Sequence, residues 1–155
     1  REAAATGGEG SVKFLDELLI WRELAFNFCF FTDDPGSLSA LPTWAQATLA
    51  EHAQDTRPRI IDSETLSRSG SGDEVWDLAQ TSLRNHGELH NNLRMTWAKA
   101  IPAWRPDPQA ALDTLIALNH RYALDGSDPN SYGGLLWSLG LFDRPMTVYP
   151  VLDDA

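Results

Sequence analysis

Apolar residues recur at helical spacing between Val12 and Phe31, at Phe14, Leu15, Leu18, Leu19, Ala25 and Phe28, and the run stops at the turn-forming Asp33-Asp34-Pro35-Gly36. A shorter helix is predicted from Trp44 to Ala53, after Pro42. The stretch from Arg57 to Gly72 contains Pro58 and the run Ser67-Arg68-Ser69-Gly70-Ser71-Gly72, and reads as an irregular loop. Asp73 suits the N-cap of a helix reaching Asn85, which Gly87 breaks. A further helix spans Glu88 to Ala100 and is closed by Pro102 and Pro106. Asp107-Pro108 and Asp128-Pro129 each set a capping acid before a proline, opening helices to Leu124 and over Tyr132 to Leu139. No strand-like alternation of useful length appears, and no internal repeat. The pattern predicts an all-α helical bundle: a flexible lead-in over residues 1–11, a helical body over 12–146 and a loose acidic tail over 147–155.

The 155 residues, 43% hydrophobic and 22% charged, suffice for one domain with its own core. No apolar run approaches the roughly 20 residues of a membrane span. The opening Arg-Glu-Ala-Ala-Ala lacks the apolar stretch of a signal peptide. A single cysteine, Cys29, sits in the apolar run Asn27 to Phe31 and reads as a buried free thiol, which points to a cytoplasmic protein. Net charge is −10, from 22 acidic and 12 basic residues, and the only lysines are Lys13 and Lys99. Duplex binding needs clustered cations to neutralise phosphates, so this balance argues against strong autonomous DNA binding.

Three constellations could carry chemistry. Glu17 and Trp21 stand four apart on one helix and share a face, either as an exposed acid beside a packing indole or as a carboxyl set against an aromatic wall. Trp76, Trp97 and Trp104 are a second set: core residues, or a row of oxidisable indoles suited to one-electron hopping. Arg94, in the apolar Leu93 to Trp97 context, needs a carboxylate, and Asp125 is the candidate, as a structural pair or as a pair fixed beside a ligand. His90 lies one turn before Arg94 and is more often a satisfied helix histidine than a ligand. No group has metal-ligand spacing, so no metal is predicted. Gly133-Gly134 lacks the spacing and the preceding strand of a dinucleotide fingerprint.

Taken in order, FLDELLIWRELAFNFCFF, TWAQATLAEHAQDTR, DEVWDLAQ, HGELHNNLRMTWAKAIPAW, DPQAALDTLIALNHRYALDGSDPNSYGGLLWSLG and FDRP resemble the DNA photolyase and cryptochrome family, closest to the class II cyclobutane pyrimidine dimer photolyases. The match runs from Phe14 to Pro145 without large insertions. The resemblance implies FAD as cofactor and damaged DNA bearing a pyrimidine dimer as partner. Light-excited reduced FAD lends the dimer an electron, the cyclobutane ring splits, and the electron returns. It implies that Glu17 contacts the dimer and that Trp21 and Trp137 form the aromatic wedge against the flipped lesion. It sets Asn119 near flavin N5, Arg94 and Asp125 as an ion pair on the isoalloxazine, and Asp128 and Asn130 in the same flavin-facing turn. His90 and Asn91 fall in the matching cofactor-binding segment. Trp76, Trp97 and Trp104 match the chain that photoreduces the flavin. The alternatives are a cryptochrome-like photosensor and a non-catalytic remnant.

The sequence also departs from the family. Ser127 stands where the family has an arginine, Asp77 where it has an asparagine, and Asn91 where class II has a glycine. Met146 replaces a tryptophan after Phe142 to Pro145. Nothing in the 155 residues matches the family's α/β antenna domain or its FAD-phosphate segment. The resemblance therefore implies the C-terminal half of a cofactor domain, a monomer that holds FAD weakly or not at all in isolation.

Overall fold

The computed structural model describes residues 2–145, and every helix or strand element among them is helical. The all-α prediction holds. Met146 and the expected tail over 147–155 lie outside the described residues.

Glu2–Thr6 forms a short helix, α1, in the stretch read as a flexible lead-in. Its Ala-rich sequence favours a helix, and Gly7 and Gly8, with φ of 68° and 86°, end it. The long helix α2, Glu9–Phe31, starts three residues before the expected Val12. α3 spans Thr43–Glu51, close to the expected helix.

The predicted loop Arg57–Gly72 contains an unforeseen one-turn helix, α4, Ser63–Ser67. Its N-cap is Asp62, whose carboxylate accepts from the Thr65 main-chain N–H at 2.9 Å and from Thr65 Oγ1 at 2.6 Å. These two bonds hold the Asp62 carboxyl below the usual carboxylate range, the hydroxyl bond most strongly.

α5, Glu74–His86, is capped by Asp73 and ended by Gly87 at φ 74°, as expected. A side chain at Gly87 would also meet Leu124, whose Cγ lies 2.7 Å from the Cβ position. α6, Asn91–Ala100, begins later than the expected Glu88 because His90 is its cap: His90 Nδ1 accepts from the Asn92 N–H. α7, Pro108–Tyr122, and α8, Pro129–Trp137, both start at their prolines after Asp107 and Asp128. For α8 that is earlier than Tyr132, so the cap-and-proline signature itself marks the start.

The main core joins α4, α5, α6, the turn after α6 and α7 through Leu66, Trp76, Leu83, Trp97, Ile101 and Leu115. A smaller core gathers Leu41, Ala45, Leu112 and Leu136. α2 lies against α8, and the closest approach is at Gly133, where a Cβ would come 2.9 Å from the Ala25 Cβ. Ala25 is the only α2 residue that is fully buried. Leu19, Ile20, Phe26, Phe30 and Phe31 of the same helix are exposed. The fold thus presents one face of α2 to α8 and leaves most of its apolar surface uncovered.

Candidate functional site

Between α2, the N-terminal half of α6 and α8 lies an open cleft of about 930 Å³. α2 contributes Glu17 and Trp21, α6 contributes Asn91, Asn92 and Arg94, and His90 enters from its cap. Asp125 and Asn130 close the far side, and Gly133, Gly134 and Trp137 of α8 form another wall. The chain folds so that segments more than a hundred residues apart meet there, because the Ala25–Gly133 contact lets α2 sit directly on α8.

Trp21 and Trp137 are in contact, with ring centroids 4.4 Å apart at 35°. Phe142 packs edge-on against Trp137 at 6.0 Å. This gives the cleft an aromatic corner, with Glu17 one turn along α2 from Trp21. Glu17 pairs with Lys13 on its own helix, and both are exposed, so the pair contributes little to stability.

Arg94 and Asp125 form a two-bond fork, Nη1 to Oδ2 and Nη2 to Oδ1, each 3.0 Å. The Arg94 side chain is 19% exposed and that of Asp125 49% exposed, so the arginine is the inner partner. Arg94 Nε is buried without a hydrogen-bond partner. A buried N–H left without an acceptor costs about 1–3 kcal/mol; Arg105 Nε, away from the cleft, is likewise without a partner.

Asp128 and Asn119 do not line this cleft. Asp128 caps α8, accepting from the Asn130 N–H at 2.8 Å, and accepts from Arg22 Nη2 at 3.1 Å. That carboxylate, after burial itself, helps push the Cys29 thiol up in pKa. Cys29 is half-buried rather than fully buried. Asn119 is 1% exposed in the last turn of α7, where its Nδ2 donates to the Gly126 carbonyl at 3.2 Å. It fastens the turn from behind while Asn130 lines the cleft.

The three tryptophans of α5, α6 and the turn after it also stand behind the cleft, in the main core. Trp76 and Trp97 stack at 6.1 Å with 7° between their planes, and Trp104 meets Trp76 edge-on at 5.3 Å. Ala98, next to Trp97, belongs to the cleft wall.

Sequence reasoning missed Asn92, Met95 and Gly134 as lining residues. Gly134 had a usable signal in the glycine pair: Gly133 serves helix contact, whereas a Cβ at Gly134 would meet nothing within 4 Å. Asn92 and Met95 carried no signal beyond directly following Asn91 and Arg94, which were already singled out.

An aromatic corner, a forked arginine with a free buried N–H and a glycine floor suit a flat, partly polar ring system. No family model matches the chain. The rice protein named deoxyribodipyrimidine photo-lyase (Oryza sativa subsp. japonica) is 42% identical to the chain over 139 residues, 89% of this chain and 28% of that protein. The protein of the same name from Potorous tridactylus is 42% identical over 132 residues, covering 84% and 25%. The one from Arabidopsis thaliana is 36% identical over 152 residues, covering 97% and 31%.

The chain belongs to the deoxyribodipyrimidine photo-lyase family. It spans between a quarter and a third of the length of these curated relatives and matches their C-terminal part. The cleft of this photolyase-family chain includes the positions of Glu17, Trp21, His90, Asn91, Arg94, Asp125, Asn130 and Trp137, and omits Asn119 and Asp128. Among the described residues no group of three or more His, Cys, Asp or Glu could hold a metal. No described helix is long and apolar enough to cross a membrane.

Proposed function

We propose that the chain supplies one wall of the FAD site of a class II photolyase, whose activity is light-driven repair of cyclobutane pyrimidine dimers. The observation that carries this reading is the Arg94–Asp125 fork with the unpartnered Arg94 Nε, set in the same cleft as the Trp21–Trp137 pair. When bound and reduced, FAD supplies the photoexcited electron. The residues of this chain hold and orient. Arg94 and Asp125 lie against the flavin ring system, with Arg94 Nε free to donate to an acceptor on it. Asn119 is the asparagine matched to flavin N5; its Nδ2 is held by the Gly126 carbonyl behind the cleft wall, and Asn130 lines the cleft itself. Trp21 and Trp137 present aromatic surface to a lesion swung out of the duplex, and Glu17 stands at the rim beside them.

The grip is one-sided. Glu17 and Asp125 are each close to half-exposed at their side chains. The uncovered apolar surface of α2 fits the interior of a larger domain, consistent with the length of the relatives. The rest of the photolyase polypeptide completes the site.

A cryptochrome-like photosensor is the second reading, and the acidic balance of 22 against 12 favours it. Illumination of the chain with an oligonucleotide carrying a thymine dimer and excess flavin, supplied reduced for the repair assay and oxidised in a parallel sample for photoreduction, separates the two. Dimer cleavage that drops in Glu17→Ala supports repair. Light-dependent flavin reduction without cleavage supports the sensor.

A further inference from the structure

Gln80 is fully buried, at 0% exposure, in the middle of the tryptophan cluster. Its Oε1 accepts from the Trp97 indole N–H at 3.0 Å, and its Nε2 donates to the Ser67 carbonyl at 3.3 Å. The amide cannot be turned round: a carbonyl only accepts and an indole N–H only donates. Trp76 in turn donates its indole N–H to the main-chain carbonyl of Trp97 at 2.9 Å. Both stacked indoles therefore give their protons to neutral, weakly basic oxygens in a water-poor core.

We infer that Gln80 keeps the Trp76–Trp97 pair protonated while it carries a positive charge, so that the cluster passes single electrons reversibly. This rests on the electron-transfer reading of the cluster. An indole that yields one electron to an oxidant, here a photoexcited flavin, becomes a cation radical whose N–H is far more acidic than that of the neutral ring. Where water or a carboxylate meets that N–H, the proton leaves and a neutral radical remains, which needs a proton as well as an electron to return. A primary amide oxygen does not take the proton, so at Trp97 only the electron moves, and one electron from a donor restores the ring.

The charge also has reason to stay on this pair. The two parallel rings share it, and each N–H bond to an oxygen stabilises it. Trp104 is the less favourable resting place, because the Arg59 guanidinium lies 5.9 Å over its ring.

The test uses the flavin-free chain with Trp21→Phe, Trp44→Phe and Trp137→Phe, which leaves Trp76, Trp97 and Trp104 as the oxidisable indoles. Pulse-generated azide radicals remove one electron, and transient absorption distinguishes cation from neutral radical at neutral pH. The expected result is a cation radical that loses its proton roughly tenfold or more slower than free tryptophan, the factor one pKa unit gives. Gln80→Glu, followed from about pH 7 to about pH 9.5 because burial raises the pKa of the new carboxyl, is expected to remove that delay once the group ionises against the N–H. Proton loss at the free-tryptophan rate in the Gln80 protein overturns the inference, as does an equal delay in Gln80→Glu. Should Gln80→Glu fail to fold by circular dichroism, the first comparison decides alone. A purely structural amide would leave both rates unmoved. Because no flavin is present, the outcome is independent of whether the cleft binds one.

Discussion

Arg94 on α6 and Asp125 in the turn before α8 are joined by two hydrogen bonds of 3.0 Å, and this fork spans the cleft while leaving Arg94 Nε buried and unpartnered. A pair built only for stability would gain little from such an arrangement, since Asp125 is half-exposed and its charge is largely solvated. The fork instead holds a guanidinium flat at the inner end of the cleft.

Arg94→Met tests that division of labour. Stability in urea is expected to fall by no more than about 1 kcal/mol, the range of a solvent-accessible ion pair. Flavin binding is expected to fall far more. A large loss of stability with unchanged flavin binding would make the fork structural.

The two adjacent glycines of α8 should respond oppositely to alanine. Gly133→Ala brings a Cβ to 2.9 Å from the Ala25 Cβ, so α2 must shift away, at a cost of about 1–3 kcal/mol. Gly134→Ala meets open space, so stability should be unchanged or should rise by up to about 1 kcal/mol from helix propensity. The new methyl projects toward the cleft, and weaker flavin binding at equal or higher stability is the expected signature. Urea melts and flavin titrations of both variants check this.

Asp62 gives a pH dependence of fixed sign. Its folded-state pKa is depressed by the Thr65 hydroxyl and N–H, so the unfolded chain takes up the proton first as pH falls. The stabilisation is complete above the ordinary aspartate range and is lost as pH falls through the lower, folded value. Asp62→Asn should therefore reduce the difference between urea midpoints measured at about pH 6 and about pH 3, with the larger change at pH 6. An equal shift at both values would mean that the carboxylate charge is not what caps α4.

Helix caps were the most legible part of the chain. Asp73, Asp107 and Asp128 each cap the helix that follows, since an aspartate ahead of a helical pattern has one common use. α4 escaped notice because its five residues adjoin a Ser/Gly run, although Asp62 and Thr65 held the signal. The start of α6 was misread because a histidine is an unusual cap. In the cleft, the resemblance pointed to both Asn119 and Asn130, and only Asn130 is among the lining residues. That difference depends on helix phase: Asn119 ends α7 with its amide on the Gly126 carbonyl, and Asn130 opens α8 on the cleft side. The partnering of Gln80 with Trp97 was also invisible, since it requires α5 and α6 to be docked.

The proposed seating of a flavin ring against Arg94 can be measured directly. The most direct measurement is a titration of flavin fluorescence and visible absorption with the purified chain, alongside Arg94→Met. The expected result is a saturable one-to-one perturbation that is weak, with Kd near or above about 10⁻⁴ M, roughly −5 kcal/mol, and that is lost in Arg94→Met at unchanged circular dichroism. No saturable perturbation at millimolar flavin, or binding that is the same in Arg94→Met, would contradict it.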